Sequence, residues 1–392
     1  MLLLAGCVAG GPPVRPAPAG EKTWYRDVLP MVQAHCASCH SEEGAAPFTL
    51  TEDEARKRSK ALVASLQTGL MPPWLPSKGC QTFKEERRLA DADVATVVEW
   101  VNAGMKAGDP RDSPTAVSEP GLAWTDVTLA ADPYTTEATQ VRDDYRCFLL
   151  DPKLDRDRDL IGFQITPGAP KQVHHVVLYS AARADATAQD LNSPGPGWPC
   201  FGGPSIRTPV VVGGWAPGTP KTQYPANTGI RLVGDKVLVL QVHYIRAQSE
   251  PISDRTVVRL QLSKDPVLKL ASILPLSKST FEIPPHTRDY RVIREYLMPS
   301  DATLWGLMPQ MNQRGRKVVA KSDGNCLISI DTWDFQWHQF YFFASARGVP
   351  LKTAEKIELT CEYDNPTAAP IFGGEGADDE RCLSYLLLTY EH

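Results

Sequence analysis

The spacing of apolar residues divides the chain into two parts with different expected secondary structure. Between residues 23 and 111, apolar positions recur at helical spacing, most clearly in 53–67 and 91–101. After a loop at 109–120, β-branched and alternating segments are separated by Gly, Pro and Asn. We therefore predict a helical first part and antiparallel β-sandwiches in the second part.

The β-rich part is long for a single sandwich. It runs from about residue 121 to residue 392, and the segment 263–273 offers a seam between two sandwiches. The predicted fold class is a multidomain protein, in which a small all-α domain precedes two tandem antiparallel β-sandwiches. The predicted boundaries are 1–20 for an N-terminal tether, 21–115 for the α domain, 121–265 for the first sandwich and 266–392 for the second.

Charge and hydropathy argue against two kinds of partner. The 392 residues carry a formal net charge of −5 at pH 7, with 41 basic and 46 acidic side chains. No Lys/Arg cluster stands out, so we expect no nucleic-acid partner. No apolar run approaches the ~20 residues that span a bilayer, so we expect no membrane-spanning helix.

The N-terminal sequence MLLLAGC resembles the end of a bacterial lipoprotein signal, with Cys7 at the cleavage position. The alternative is a hydrophobic N-terminus with an incidental cysteine. A Gly/Pro/Ala-rich tether then extends to residue 20. We expect an exported protein, a periplasmic or outer-membrane lipoprotein of a bacterium, which contacts the membrane only through a lipid anchor at Cys7.

The strongest motif in the first part is CASCH, which contains Cys36, Cys39 and His40. Two thiols at this spacing can form thioethers to the haem vinyl groups, and the adjacent histidine can ligate the iron. Met71 offers a thioether as the iron ligand on the opposite face of the haem. The alternatives are that Met105 is this ligand or that the ligand position is vacant. A redox dithiol is a further alternative, whereas a zinc site lacks a second CxxC or CxxH. The stretch resembles a small class I cytochrome c domain, which implies covalent haem c.

Three histidines in the β-rich part form a second candidate site. His174 and His175 are adjacent in QVHHVVLY, and His243 is central in VLQVHY. Adjacent strand residues point to opposite faces, so His174 and His175 can bind one ion only at a bulge or an edge. Three imidazoles without a thiolate suit type II copper or zinc. The alternative is that they are hydrogen-bonded core histidines.

These two segments, together with GGWAPG at 213–218, resemble the copper type II, ascorbate-dependent monooxygenase family. The resemblance runs from about residue 143 to residue 390, and it implies two jelly-roll-like sandwiches that face a cleft. It implies an electron-transfer copper on His174, His175 and His243. The family reaction is O2-dependent hydroxylation of an organic substrate, here a small molecule or a peptide. Bacterial relatives often carry a fused cytochrome c domain.

The same resemblance indicates that the family's second, catalytic copper site is degenerate here. The family uses a His-x-His pair and a methionine, where this chain has Gln310, Asn312 and Arg381. Amides are poor copper ligands, and a permanent cation repels a metal ion. We therefore expect one copper ion and doubt a second. Other side chains that could rescue the site are better explained as core packing: Met308, Met311 and His338.

The nine cysteines lead to a prediction of disulfides. With one cysteine lipidated and two holding haem, six remain, and an even number in an exported protein predicts three disulfides. The family resemblance pairs Cys147 with Cys200 and Cys361 with Cys382. Two cysteines, Cys80 and Cys326, then remain unassigned. Parity alone suggests that they are bonded to each other, and the alternative is that both are free thiols.

Three function classes remain open at this point. The first is a haem- and copper-containing monooxygenase, in which haem replaces or supplements ascorbate as the electron source. The second is a copper-binding or electron-transfer protein without oxygenase activity. The third is a non-catalytic subunit that pairs with an active paralogue. The sequence identifies neither a substrate nor a redox partner.

Overall fold

The computed structural model describes residues 20–115, 121–136, 143–219, 221–245, 252–374 and 378–391. The predicted lipid attachment site at Cys7 and nearly all of the tether lie outside these ranges. Within them, no helix is long and apolar enough to cross a membrane.

The helices are short, and most of them precede residue 112. A π-helical turn at Trp24–Val28 leads into the first α-helix, and a 3-10 turn occupies Pro110–Asp112. The rings of Trp24 and Trp100 lie 5.5 Å apart in a small core that the first and the fourth α-helix share. The α-helices are α1 (Leu29–His35), α2 (Glu52–Lys57), α3 (Ser59–Gln67), α4 (Asp91–Asn102) and α5 (Arg183–Leu191).

The predicted all-α domain is wrong, because helices build only part of the N-terminal region. Its longest helix, α4, has 12 residues, and the described stretch between α3 and α4 forms no helix. Residues 74–88, which we call the strap, run along the second half of the chain. Within the strap, Cys80 bonds to Cys326 and Phe83 packs on Tyr341. Apolar side chains of the strap pack against residues that are far away in sequence. This tertiary packing overrides the helical pattern of the local sequence.

The remainder of the protein is mostly β-strand. The strands are β1 (Val127–Ala130), β2 (Tyr134–Thr135), β3 (Asp143–Leu150), β4 (Arg158–Thr166), β5 (Val173–Ala182), β6 (Trp198–Pro199), β7 (Val210–Trp215), β8 (Thr222–Gln223), β9 (Thr228–Leu232), β10 (Lys236–Ile245), β11 (Ser253–Asp254), β12 (Val257–Leu262), β13 (Lys269–Lys278), β14 (Glu282–Ile283), β15 (Thr287–Leu297), β16 (Ala302–Gln310), β17 (Gly315–Ser322), β18 (Asn325–Ile330), β19 (Tyr341–Phe342), β20 (Val349–Leu351), β21 (Lys356–Asn365), β22 (Ile371–Phe372) and β23 (Cys382–Tyr390).

Three sheets form the body of the protein. A five-stranded sheet has the order β6-β3-β10-β5-β7, and a four-stranded sheet has the order β15-β21-β17-β18. A ten-stranded sheet follows the path β1-β12-β4-β9-β13-β23-β16-β19, with β8 on β4 and β20 on β16. Its two halves are joined where β9 and β13 pair in parallel, with Thr228 opposite Lys269. The prediction of two separate tandem sandwiches is therefore also wrong, because one sheet is common to both halves.

Strand β23 lies between two hydrophobic cores. Leu383, Tyr385 and Leu387 belong to the core that contains the five-stranded sheet. Leu386 and Leu388 belong to the core that contains the four-stranded sheet. Alternate residues of one strand thus serve different cores. This explains why β23 is apolar on both faces and buried along nearly its whole length.

The disulfides agree with the cysteine analysis. All three expected bonds are present: Cys147–Cys200, Cys361–Cys382 and Cys80–Cys326. The first two confirm the pairings that the family resemblance implied. The third confirms the pairing that rested on parity, and it fastens the strap to β18 across a sequence separation of 246 residues.

Candidate metal centre

Two neighbouring strands of the five-stranded sheet bring three histidines together. Strand β5 carries His174 and His175, and the antiparallel strand β10 carries His243. His243 lies opposite His175, but the next residue, Tyr244, lies opposite Val173. His174 is therefore an extra residue in β5, a β-bulge that redirects its side chain. This is the irregularity that two adjacent histidines need in order to face one ion.

The three imidazoles, which we call the histidine cluster, converge through their Nδ1 atoms. These atoms are separated by 2.9 Å (His174–His175), 3.1 Å (His174–His243) and 3.3 Å (His175–His243). Donors at these separations lie roughly 1.8 Å from a common centre, close to the ~2.0 Å of a metal–imidazole bond. All three residues are buried. The cluster therefore has the dimensions of a metal site.

Burial keeps the three histidines neutral. It lowers the pKa of His174 to about 2, and it lowers the pKa values of His175 and His243 as well. Neighbouring imidazoles reinforce the effect at His174 and His175, whereas the Asp143 carboxylate opposes it at His243. Lone pairs directed at one point repel one another unless a cation lies between them. The donor set fits a metal ion, and three imidazoles suit type II copper or zinc.

Two residues of β3 orient His243. Its Nε2 lies 2.9 Å from the Asp143 Oδ1 atom, so the Nε2–H group donates to the carboxylate and Nδ1 keeps its lone pair for a metal. The Tyr145 ring stacks on the His243 ring, with 4.0 Å between centroids and 7° between planes. Sequence reasoning gave neither residue a role. The sequence signal that could have identified them is strand alternation, because it places residues 143 and 145 on the same face of β3.

A fourth histidine, His338, lies against the cluster. Its ring centroid is 5.2 Å from that of His175 and 5.8 Å from that of His174. The side chain is 6% exposed, and in the described part of the chain neither ring nitrogen has a hydrogen-bond partner of normal geometry. Burial lowers its pKa to about 3, and the Met311 backbone opposes this only in part. The sequence analysis treated His338 as a packed side chain and did not foresee its position beside the cluster.

The three residues predicted to replace metal ligands lie near the histidine cluster. Gln310 ends β16, Asn312 follows it closely, and Arg381 immediately precedes β23. With His175 and His338, they line a small cavity that is partly open to solvent. The cavity therefore connects the predicted copper ligands of the first half with the three positions of the second half that are predicted to lack metal ligands.

Glu380 holds the loop that contains Asn312. Its carboxylate accepts hydrogen bonds from the backbone N–H groups of Asn312 (2.9 Å) and Arg314 (2.6 Å). The Asn312 amide Nδ2 also donates to the Asp379 carbonyl at 2.6 Å. Burial raises the pKa of Glu380 to about 7, and the backbone hydrogen bonds counteract this. Asn312 is thus engaged in hydrogen bonds that fix the loop.

The CASCH segment follows α1, and its donors fit covalent haem attachment. Neither Cys36 nor Cys39 forms a disulfide within the described chain. Burial and the neighbouring Cys39 raise the pKa of Cys36 to about 12, so Cys36 is a neutral thiol. The His40 Nδ1 lies 3.1 Å from the Phe48 carbonyl oxygen, so Nδ1–H donates and Nε2 keeps its lone pair. Met71, the predicted opposite ligand, lies half-buried after α3.

The thiol of Cys39 lies close to the loop that follows β7. A Cβ atom placed on Gly218 would lie 3.5 Å from the Cys39 Sγ atom, and Gly218 has a φ of +82°, which favours glycine. Strand β7 pairs with β5, where Trp215 lies opposite Val176. Val176 directly follows His175. The thiol of Cys39 and the histidine cluster are therefore connected through one loop and one pair of strands.

A comparison with protein families finds a match in the region of the histidine cluster. Residues 133–251 match the N-terminal domain of the copper type II ascorbate-dependent monooxygenases. This region is less than a third of the chain, and it contains all three histidines of the cluster. The match supports a copper protein related to this family. It does not reach the CASCH segment or the positions of Gln310, Asn312 and Arg381.

The solved structures that resemble this chain are distant. PNGF-II is 10% identical with a TM-score of 0.25, and the match covers 68% of this chain and 60% of that chain. A β-porphyranase of glycoside hydrolase family 86 from Bacteroides plebeius is 13% identical with a TM-score of 0.17, covering 63% and 35%. The infectious bursal disease virus VP2 protein is 9% identical with a TM-score of 0.18, covering 72% and 76%. Likenesses at these TM-scores carry no argument about function.

Proposed function

We propose that this chain is a copper- and haem-binding redox protein, related to the copper monooxygenases, that transfers electrons and does not insert oxygen. The convergence of three neutral Nδ1 atoms within 3.3 Å of one another carries this proposal. A copper ion held by His174, His175 and His243 supplies a one-electron couple, and a haem supplies a second one. The family match of the surrounding residues favours copper over zinc.

The contacts of the cluster suit an electron-transfer ion. His243 donates from Nε2 to Asp143 and offers Nδ1 to the metal, so its tautomer is set before the ion binds. Phe335 stacks on the His174 ring at 5.2 Å between centroids, and Tyr145 stacks on His243. Rings fixed in this way change little in position when the charge of the ion changes.

The surroundings of the second site support the loss of its copper. The Asn312 amide N–H is engaged with the Asp379 carbonyl, and Arg381 adds a permanent positive charge to the cavity. A local repulsion of ~3 kcal/mol would weaken metal binding more than a hundredfold. In the family that this chain resembles, O2 reacts at the second copper. A chain without it keeps the redox ion but lacks the oxygenase centre.

Covalent haem at the CASCH motif is the second part of the proposal. Cys36 and Cys39 would supply the thioether sulfur atoms, and the His40 Nε2 atom and the Met71 thioether would be ligands of the haem iron. The Phe48 carbonyl fixes the His40 tautomer through Nδ1. The approach of Cys39 to the loop after β7 favours electron exchange between the two centres.

We place the protein in the periplasm or at the outer membrane, anchored through Cys7. Three disulfides support an oxidising compartment. In this setting the electron donor or acceptor is a redox partner outside this chain.

Cofactor content of protein expressed with cytochrome c maturation tests the proposal. We expect one covalent haem and one copper per chain, with a type II copper EPR signal. His243→Ala should lose the copper and keep the haem, whereas Cys36→Ala with Cys39→Ala should do the reverse. Reductive titration should consume two electrons per wild-type chain and one electron in either variant. His286→Asn, at an exposed histidine, is the matched control.

Two results would contradict the proposal. Two tightly bound copper ions together with substrate-dependent O2 uptake would restore an oxygenase. Full copper retention in His243→Ala would place the ion outside the histidine cluster.

A further inference from the structure

The cavity beside the histidine cluster contains a positive charge. Arg381 is among its lining residues. Within the described ranges, no carboxylate lies within ion-pair distance of its guanidinium. The Arg381 backbone carbonyl is engaged, since it accepts a 2.6 Å hydrogen bond from the Tyr363 hydroxyl. The main chain at this position is thus anchored while the cationic side chain faces a cavity.

The Arg381 side chain lines the cavity together with His175 and His338. Burial and, to a smaller extent, the Arg381 charge lower the pKa values of His175 and His338. At Glu380, by contrast, the cation that acts on the carboxylate is Arg314. The Glu380 oxygens are bonded to backbone N–H groups of the loop after β16. Glu380 therefore does not neutralise Arg381.

Two buried polar side chains, His338 and Gln310, line the same cavity. Neither ring nitrogen of His338 has a well-formed hydrogen bond in the described chain, although the residue is only 6% exposed. Gln310 is also 6% exposed. Buried polar groups in native proteins normally have partners. A cation beside two buried polar side chains, one of them without a well-formed hydrogen bond, makes a candidate binding site for an anion.

We propose that this cavity binds a small planar monoanion with two oxygen atoms, either a carboxylate or nitrite, beside the metal position. The planar guanidinium of Arg381 can donate to both oxygens at once. The Gln310 side chain, which lines the same cavity, carries amide N–H groups that can donate to the anion as well. The rings of Tyr145 and Phe335 line the same cavity and suit a flat ligand.

The test uses the full-length protein, with and without copper, and two probes. Sodium formate and sodium nitrite are titrated calorimetrically, with sodium chloride at the same ionic strength as reference. We expect saturable binding and a raised melting temperature for at least one probe. Arg381→Gln should weaken binding at least tenfold, because the bidentate cation is lost. Arg381→Lys should bind with intermediate affinity, and Arg347→Gln, at an exposed arginine, should bind as the wild type does.

The two probes distinguish the possible ligands. Binding of formate alone assigns the site to carboxylates, binding of nitrite alone assigns it to nitrite, and either result supports the proposal. Absence of saturable binding for both, or equal binding in Arg381→Gln, would overturn it. If Arg381→Gln does not fold, Gln310→Leu serves in its place and should weaken binding several-fold. In the copper-loaded protein, saturating anion should change the EPR spectrum, and an unchanged spectrum would refute the position beside the metal.

Discussion

Replacing Asp143 with asparagine isolates the contribution of one carboxylate to copper affinity. In the wild type, Asp143 Oδ1 lies 2.9 Å from His243 Nε2, on the side of the ring away from the cluster. Asparagine keeps a side-chain oxygen that can accept the same N–H bond, but it removes the negative charge. The His243 tautomer should therefore survive, and only the electrostatic support of the ligand is lost.

The expected loss follows from this geometry. Removing a partner of a metal-bound histidine typically weakens metal affinity by about 10–100-fold, equivalent to ~1.4–2.7 kcal/mol. The Asp143 side chain is 30% exposed, so water screens part of its charge. We therefore expect Asp143→Asn to weaken copper binding by roughly 10–30-fold, the lower part of that range.

Competition with a chromogenic copper chelator at pH 7 measures this change. The matched control is Asp144→Asn, which alters the neighbouring carboxylate on the opposite face of β3. Asp144 accepts a 2.6 Å hydrogen bond from the Tyr134 hydroxyl, so its loss should change copper affinity less than threefold. Equal losses in the two variants, or a loss below twofold in Asp143→Asn, would refute the role of the Asp143–His243 pair.

Three further predictions concern stability. Burial raises the pKa of Glu380 from its ordinary 4.5 to about 7, so the folded state retains a proton that the unfolded state releases. The unfolding free energy should therefore fall between pH 4.5 and 7 by about 3 kcal/mol more in the wild type than in Glu380→Gln. Gly218→Ala should cost about 1–2 kcal/mol in denaturant unfolding, because of its positive φ. Gly203→Ala, which meets open space, should cost less. Cys80→Ser with Cys326→Ser should lower the unfolding free energy by about 2–5 kcal/mol, and an unchanged denaturation midpoint would show that the strap is held by packing alone.

Local sequence patterns identify parts of this fold correctly. Alternating and β-branched segments correspond to strands such as β5 and β10, because cross-strand packing favours these residue types. The resemblance implied the pairings Cys147–Cys200 and Cys361–Cys382. Parity left Cys80 and Cys326 either bonded or free, and the structure bonds them. The sequence indicates that His174 and His175 can bind one ion only at a bulge or an edge, but it does not show that β5 has a bulge there. Its position is a property of the register between β5 and β10, and register is not visible in either strand alone.

The N-terminal prediction failed for a physical reason. Helical periodicity does occur in this region, and α3 and α4 form where it is strongest. The strap between them carries Trp74 and Phe83, which pack on Tyr341 more than 250 positions later. Contacts over such separations leave no periodic signal. The same limitation concealed His338, whose aromatic surroundings predicted burial but not the identity of its neighbours.

The location of Arg381 and Gln310 beside the histidine cluster follows from strand alternation. It can be explained only when the sheet shared by the two halves is known. Leu383 and Tyr385 point from β23 into the core of the five-stranded sheet, and Arg381 lies two residues before Leu383 on the same side. On β16, Met308 belongs to that core, and Gln310 follows two residues later. If the two halves were separate sandwiches, these faces would have no reason to meet the histidine cluster. Because one sheet serves both halves, Arg381 lies in the cavity beside the histidine cluster. Its guanidinium stays cationic and brings a permanent positive charge close to these histidines, but an arginine cannot supply redox chemistry.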